Sequence, residues 1–170
     1  HEQRISNDND LIGIHHVIRA AALLKRDPEQ SLEWYQLAEQ TLPETTYNWQ
    51  GALALGRGFA YMETGDLLHA EHSFAAAVAP SRTCGNLYAA MYAIYNLGRA
   101  QMAQGALQRS QATFEYALEL ARREPQPMQQ LVSWAYLGLS EVEYERNNLT
   151  SATQHVINAI TIGKRRENRE

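Results

Sequence analysis

The chain has 170 residues, a formal net charge of −4, 45% hydrophobic residues and 20% charged residues. That balance suits a single globular domain with a sizeable core and excludes intrinsic disorder. The acidic excess argues against a broad basic face for nucleic acid, and one cysteine, Cys84, excludes an internal disulfide framework.

In chain order, His1 to Asp10 is polar and lacks the apolar centre of a signal peptide. A helical stretch follows from Ile14 to Lys25, then Asp27-Pro28, a cap and first-turn pair for a second helix carrying Ser31, Tyr35 and Ala38. A connection with Pro43 leads to Leu55-Gly56-Arg57-Gly58-Phe59-Ala60, the turn Gly65, and a helix with Ala70, Phe74, Ala77 and Val78. The connection Ala79 to Gly85, holding Pro80, opens the third pair. It reads Tyr95-Asn96-Leu97-Gly98-Arg99-Ala100, turn Gly105, then Ser110, Phe114, Ala117 and Leu118. After Pro125 and Pro127 comes Leu137-Gly138-Leu139-Ser140-Glu141, turn Asn147, then Ala152, Val156, Ala159 and Ile160.

The last three of these segments align without gaps, and a weaker copy runs from Arg26 through Ser31, Tyr35 and Ala38. From Arg26 through Gly65 and Gly105 to Asn147 the spacings are 39, 40 and 42 residues. Each unit is therefore a helix A, a tight turn and a helix B, with no run of alternating strands. The units fall roughly at 11–40, 48–79, 86–122 and 128–163. Pro43, Pro80, Pro125 and Pro127 are expected between units and none of these four inside a helix. Gly or Ser in the middle of helix A admits a close neighbour. The paired small residues of helix B, seven apart, face one partner, with Phe74 and Phe114 filling the gap. Gly65, Gly105 and Asn147 suit the left-handed residue that ends a helix.

Tyr95-Asn96-Leu97-Gly98-x-Ala100, followed by Gly105, Ser110, Phe114 and Ala117, resembles the tetratricopeptide repeat (TPR). The implied fold is an all-α, right-handed α-solenoid of about four TPR-like repeats, 1–170 forming one domain. The period, nearer 40 than the usual 34, is similar to that of the sensor region of MalT-like, LuxR-type transcription regulators. Ala112 to Ala121, the Pro125/Pro127 connection, Ala135 to Glu141 and Leu149-x-x-Ala152 carry this likeness, which covers most of Ala52 to Ile162. In that family the repeats sit between a nucleotide-binding switch and a DNA-binding domain, and bind an inducer or a partner protein. The chain holds neither flanking module, begins with His and ends on the charged string Lys164 to Glu170, so it reads as part of a longer protein. Arg57 stands where an apolar residue is expected, and the first unit lacks both the mid-helix and the turn glycine; it is either a cap or a continuing solenoid.

The resemblance makes helix A the lining of the concave face. Its outward positions are Ala52, Leu55, Phe59 and Met62; Tyr92, Tyr95, Arg99 and Met102; Trp134, Leu137, Glu141 and Tyr144; and His16 in the first unit. The candidate binding set is Phe59, Tyr92, Tyr95, Arg99, Trp134, Glu141 and Tyr144. Aromatic surface with few charged anchors suits a sugar-like small molecule or a peptide. Two readings stay open: that face binds a ligand, or its aromatics pack repeat against repeat and Arg99 pairs with Glu141. His69 and His72 flank Glu71 at metal-ligand spacing without a third ligand, and read as a solvated face. His15 and His16, being adjacent, should diverge. Gly56-Arg57-Gly58 is not a phosphate loop, and Glu141, Glu143 and Glu145 lack the nucleophile or metal that acid–base chemistry needs. The expectations are a cytoplasmic sensor or interaction domain of a MalT-like regulator, not an enzyme, with no cofactor, no metal, no membrane contact and no direct nucleic-acid binding. A generic TPR scaffold for peptide segments is the alternative. Self-association is compatible with both.

Overall fold

The computed structural model describes residues 2–42, 47–123 and 129–167, with side chains at 10–42, 49–123 and 131–164. Among these residues there are eight helices and no strand: α1 (Glu2–Leu23), α2 (Pro28–Thr41), α3 (Tyr47–Thr64), α4 (Leu67–Thr83), α5 (Leu87–Ala103), α6 (Leu107–Arg123), α7 (Gln129–Glu145) and α8 (Leu149–Glu167). The chain is thus an all-α helical repeat of the solenoid class. The odd-numbered helices are the A helices and the even-numbered ones the B helices. The residues form two compact units, 1–93 and 94–170, divided within α5.

The turns have one chemistry. Gly65, Gly105 and Asn147 have φ of 80°, 74° and 60°. At Gly105 the glycine N–H donates to the Met102 carbonyl at 2.8 Å, and the next N–H, of Ala106, donates to the Gln101 carbonyl at 2.9 Å. Asp66 and Asn148 repeat the outer bond, to Tyr61 and Glu143. This paired closure satisfies helix-end carbonyls that would otherwise lack partners. The residue that completes it then caps the following helix: Asp66 accepts from the His69 N–H at 3.2 Å. Asp27 caps α2 in the same way through Gln30, with Pro28 at the first turn, as the sequence indicates.

A fourth closure lies where the sequence suggests a loose connection. Gly85 has φ of 76°, the Asn86 N–H donates to the Ser81 carbonyl, and Asn86 Oδ1 accepts from Ala89. The ordinary turn at Gly85 needs carbonyls of Ser81 and Arg82 in helical register, so α4 runs on to Thr83 and includes Pro80. The expectation that Pro80 lies between helices is therefore wrong. Pro43, Pro125 and Pro127 lie outside the described residues. The first helix also begins earlier than the expected Ile14, at Glu2; polar residues such as Asn and Asp carry only modest helix penalties.

Between helices, rings sit on glycines. Phe74 is fully buried, and a Cβ on Gly58 would stand 2.6 Å from its ring. Phe114, also fully buried, lies against Gly98 of its own unit and Gly138 of the next. Tyr35 occupies the space over Gly56. The small residues opening helix B are equally specific. Ser110 Oγ donates to the Gly98 carbonyl at 2.8 Å, and Ser31 Oγ to the Ala20 carbonyl at 2.7 Å. The first turn closes differently: the Arg26 and Asp27 N–H groups both donate to the Leu23 carbonyl, at 2.8 Å each, and none of residues 24–27 takes a positive φ, so the turn needs no glycine.

Gly138→Ala should destabilise the fold, because the methyl group must displace a packed ring. Gly163→Ala, where a Cβ meets nothing within 4 Å, should stabilise it by about 0.5–1 kcal/mol, the helix-propensity gain. Urea unfolding of the two variants beside the parent chain checks the opposite signs.

Candidate functional site

The outward positions of the A helices are accessible, as the alignment requires. Arg99, Leu137, Tyr144 and Ala52 are exposed, and Phe59, Tyr92, Tyr95, Trp134 and Glu141 are half-buried. By contrast Asn96, on the inner side of α5, is 5% exposed.

In residues 1–93, Phe59 packs edge-on to buried Phe74, with ring centroids 5.2 Å apart, and lies 5.6 Å from Tyr92. Tyr88, half-exposed, stacks on Tyr92 at 6.4 Å. Phe59 therefore links the core to the surface.

In residues 94–170, Tyr95 of α5 and Trp134 of α7 have centroids 6.0 Å apart at 33°, and Tyr95 also rests 6.0 Å from Phe114. The Arg99 guanidinium lies 5.9 Å from the centre of the Tyr95 ring. Burial pushes the Glu141 carboxyl up from its usual range, and the Arg99 charge pulls it part of the way back. Tyr95, Arg99, Trp134 and Glu141 are thus drawn together by the fold. Phe59 and Tyr92 belong to the other compact unit.

Glu141 and Tyr144 also line a cavity of about 650 Å³ with Met102 of α5 and Leu149, Ala152 and Val156 of α8. The α8 residues are absent from the sequence-derived site. Their spacing of three and four is the repeat's own packing signature, and that signature does not say whether a neighbour is present.

Other candidates resolve differently. His69 Nδ1 lies 2.7 Å from Asp66 Oδ2, and its ring stacks on Tyr61 at 5.1 Å. The backbone N–H of His69 lowers the Asp66 pKa, with smaller help from its side chain. Among the described residues no group of three His, Cys, Asp or Glu converges for a metal ion. His15 and His16 do not diverge as expected. Both rings meet Trp34 of α2, at 6.3 and 5.3 Å, with Arg19 over the same indole at 4.8 Å. The large indole reaches across the angle between adjacent side chains. Cys84 ends α4, its thiol donating to the Ser81 carbonyl at 3.2 Å. No helix among the described residues is long and apolar enough to cross a membrane.

Paired helices with ring-on-glycine packing and closed turns define the tetratricopeptide class of repeat. The family of the MalT-like TPR region matches residues 14–170, and the chain belongs to it. Among curated proteins no match is found.

Ionising Glu141 is harder in the folded chain than in the unfolded one, because desolvation outweighs the attraction of Arg99. Its folded pKa is raised, so its contribution to stability is greatest below about 4.5, the ordinary value, and is lost as pH rises through the raised one. Glu141→Gln should remove that decline and leave the protein more stable than the parent at neutral pH. Denaturation midpoints between about pH 4 and pH 7 read the difference.

Proposed function

We propose that the chain is the sensing or interaction domain of a MalT-like, LuxR-type transcription regulator, acting in the cytoplasm and recognising its inducer or partner protein on the outward face of the A helices. Family membership supports the class of role. The observation that carries the assignment of the face is the Tyr95–Trp134 pair, which stays accessible beside the Arg99 guanidinium and the half-buried Glu141. Aromatic rings offer area at low entropic cost, and the two opposite charges fix orientation. Phe59, Tyr92 and Tyr144 extend the aromatic character of the set. Nothing in this reading calls for catalysis or for nucleic-acid contact by the domain itself.

A generic peptide-binding scaffold is the second reading. One form of it, a clamp on a peptide's terminal carboxylate using Asn96 with Arg99, is disfavoured by the burial of Asn96. Self-association through apolar helix faces, such as that bearing Ile157 and Ile160, is compatible with either.

A calorimetric screen of sugars, small metabolites and peptides should yield a binder that Arg99→Ala or Trp134→Ala weakens at least tenfold, about 1.4 kcal/mol. Undiminished binding in both variants would remove the site from this face. A response confined to peptides would favour the scaffold.

A further inference from the structure

Two helix faces that neighbouring repeats cover elsewhere lie open, one on α8 and one on α1. In residues 94–170, Phe114, Leu139 and Val142 form a core against which Met102, Leu107 and Leu118 pack. One repeat on, 42 residues later, Tyr144 stands for Met102, Leu149 for Leu107, Val156 for Phe114 and Ile160 for Leu118. All four are exposed, Tyr144 at 65%. Tyr144, Leu149 and Val156 line the cavity of about 650 Å³.

In residues 1–93, α1 shows the converse. Ser31 donates to the Ala20 carbonyl as Ser110 does to that of Gly98. Ala20 is therefore in register with Gly98 and, one repeat on, with Ser140. Leu11, Ile18 and Ala22 then take the places of Leu131, Gly138 and Val142. Leu131 and Val142 are buried, and Gly138 lies against the Phe114 ring. Leu11 and Ile18 are 66% and 63% exposed, and Ala22 is exposed beside them. Their spacings of seven and four put the three on one side of α1.

The two open faces complement each other. Inside the chain a ring on helix B meets a bare glycine on the next helix A. At the open faces both sizes change in compensation: valine replaces the ring, at Val156, and isoleucine replaces the glycine, at Ile18. The room that the smaller Val156 leaves is what Ile18 would fill. Charge agrees with shape. Arg26 is in register with Arg146, whose guanidinium donates to Gln111 of the preceding helix B. The counterpart of Gln111 is Thr153, which lines the cavity with Glu141 and Glu145, so Arg26 would arrive at an acidic rim.

We propose that the chain associates head to tail with a second copy of itself, α1 of one copy lying on α7 and α8 of the next as α7 lies on α6. This is a specific form of the self-association compatible with either functional reading, and it does not rest on the ligand-binding face. Two different patches meet, so the assembly either grows or closes into a ring.

Sedimentation velocity over a concentration series tests it on the parent chain and two variants. Ile18→Glu blocks the α1 face and Val156→Glu the α8 face. Both side chains are exposed, and circular dichroism checks that each variant keeps its helices; Ile160→Glu, on the same face, takes the place of Val156→Glu should that chain lose them. The parent should associate as concentration rises, and each variant alone at least tenfold more weakly. An equimolar mixture of the two variants should form a one-to-one dimer with the parent's affinity and go no further, because one intact α1 face and one intact α8 face are left to meet. Arg99→Ala should associate like the parent, which separates this outcome from that of the A-helix face. A parent that stays monomeric at every concentration overturns the proposal. So does Ile18→Glu associating as tightly as the parent, which would mean that α8 pairs with α8, or a mixture no more associated than its components.

Discussion

Phe114 presses its ring against two glycines at once, Gly98 in α5 and Gly138 in α7. A side chain at either position would stand inside the ring, so three helices keep their spacing only while both positions stay bare. Phe74 on Gly58 and Tyr35 over Gly56 apply the same constraint in the earlier units. Close approach also brings the buried hydroxyls of Ser31 and Ser110 within reach of helix A carbonyls. Packing and polar satisfaction thus depend on the same small residues. The left-handed closures at Gly65, Gly85 and Gly105 then start each following helix without a loop.

Filling the inner side of helix A with rings from helix B leaves the outer side of helix A for other work. Tyr95 shows the division: it touches Phe114 on one side and Trp134 on the other, and Arg99 reaches over it. Glu141 is held partly out of water, beside a cavity. Such a surface is rigid because its supports are core residues, and rigidity lowers the entropic cost of recognition.

Much of this architecture was legible in the sequence. Gly58, Gly98 and Gly138 announce close approach because nothing else explains glycine within a helix. Gly65, Gly105 and Asn147 announce left-handed turns, and Asp27-Pro28 a helix start. What failed to show has physical causes. Pro80 marks a connection by sequence, but it costs one hydrogen bond near a helix end, and the closure at Gly85 holds the helix past it. The meeting of His15 and His16 on Trp34 depends on the reach of an indole from another helix, which spacing along one helix does not encode. Ala152 and Val156 were visible as repeat positions, yet whether such positions are covered or line a cavity is decided by neighbours. The candidate face was legible as a list of outward residues. Its division into a Phe59–Tyr92 cluster and a Tyr95–Trp134 cluster was not.

A double-mutant cycle between Phe114 and Gly138 measures the ring-on-glycine constraint most directly. Four chains are unfolded in urea: the parent, Gly138→Ala, Phe114→Leu and the pair. If the ring occupies the space above Gly138, alanine there is strongly destabilising beside phenylalanine and much less so beside leucine, giving a coupling energy of at least about 1 kcal/mol. Additive effects within about 0.3–0.5 kcal/mol would contradict the account, since they would mean that the two residues do not share that space.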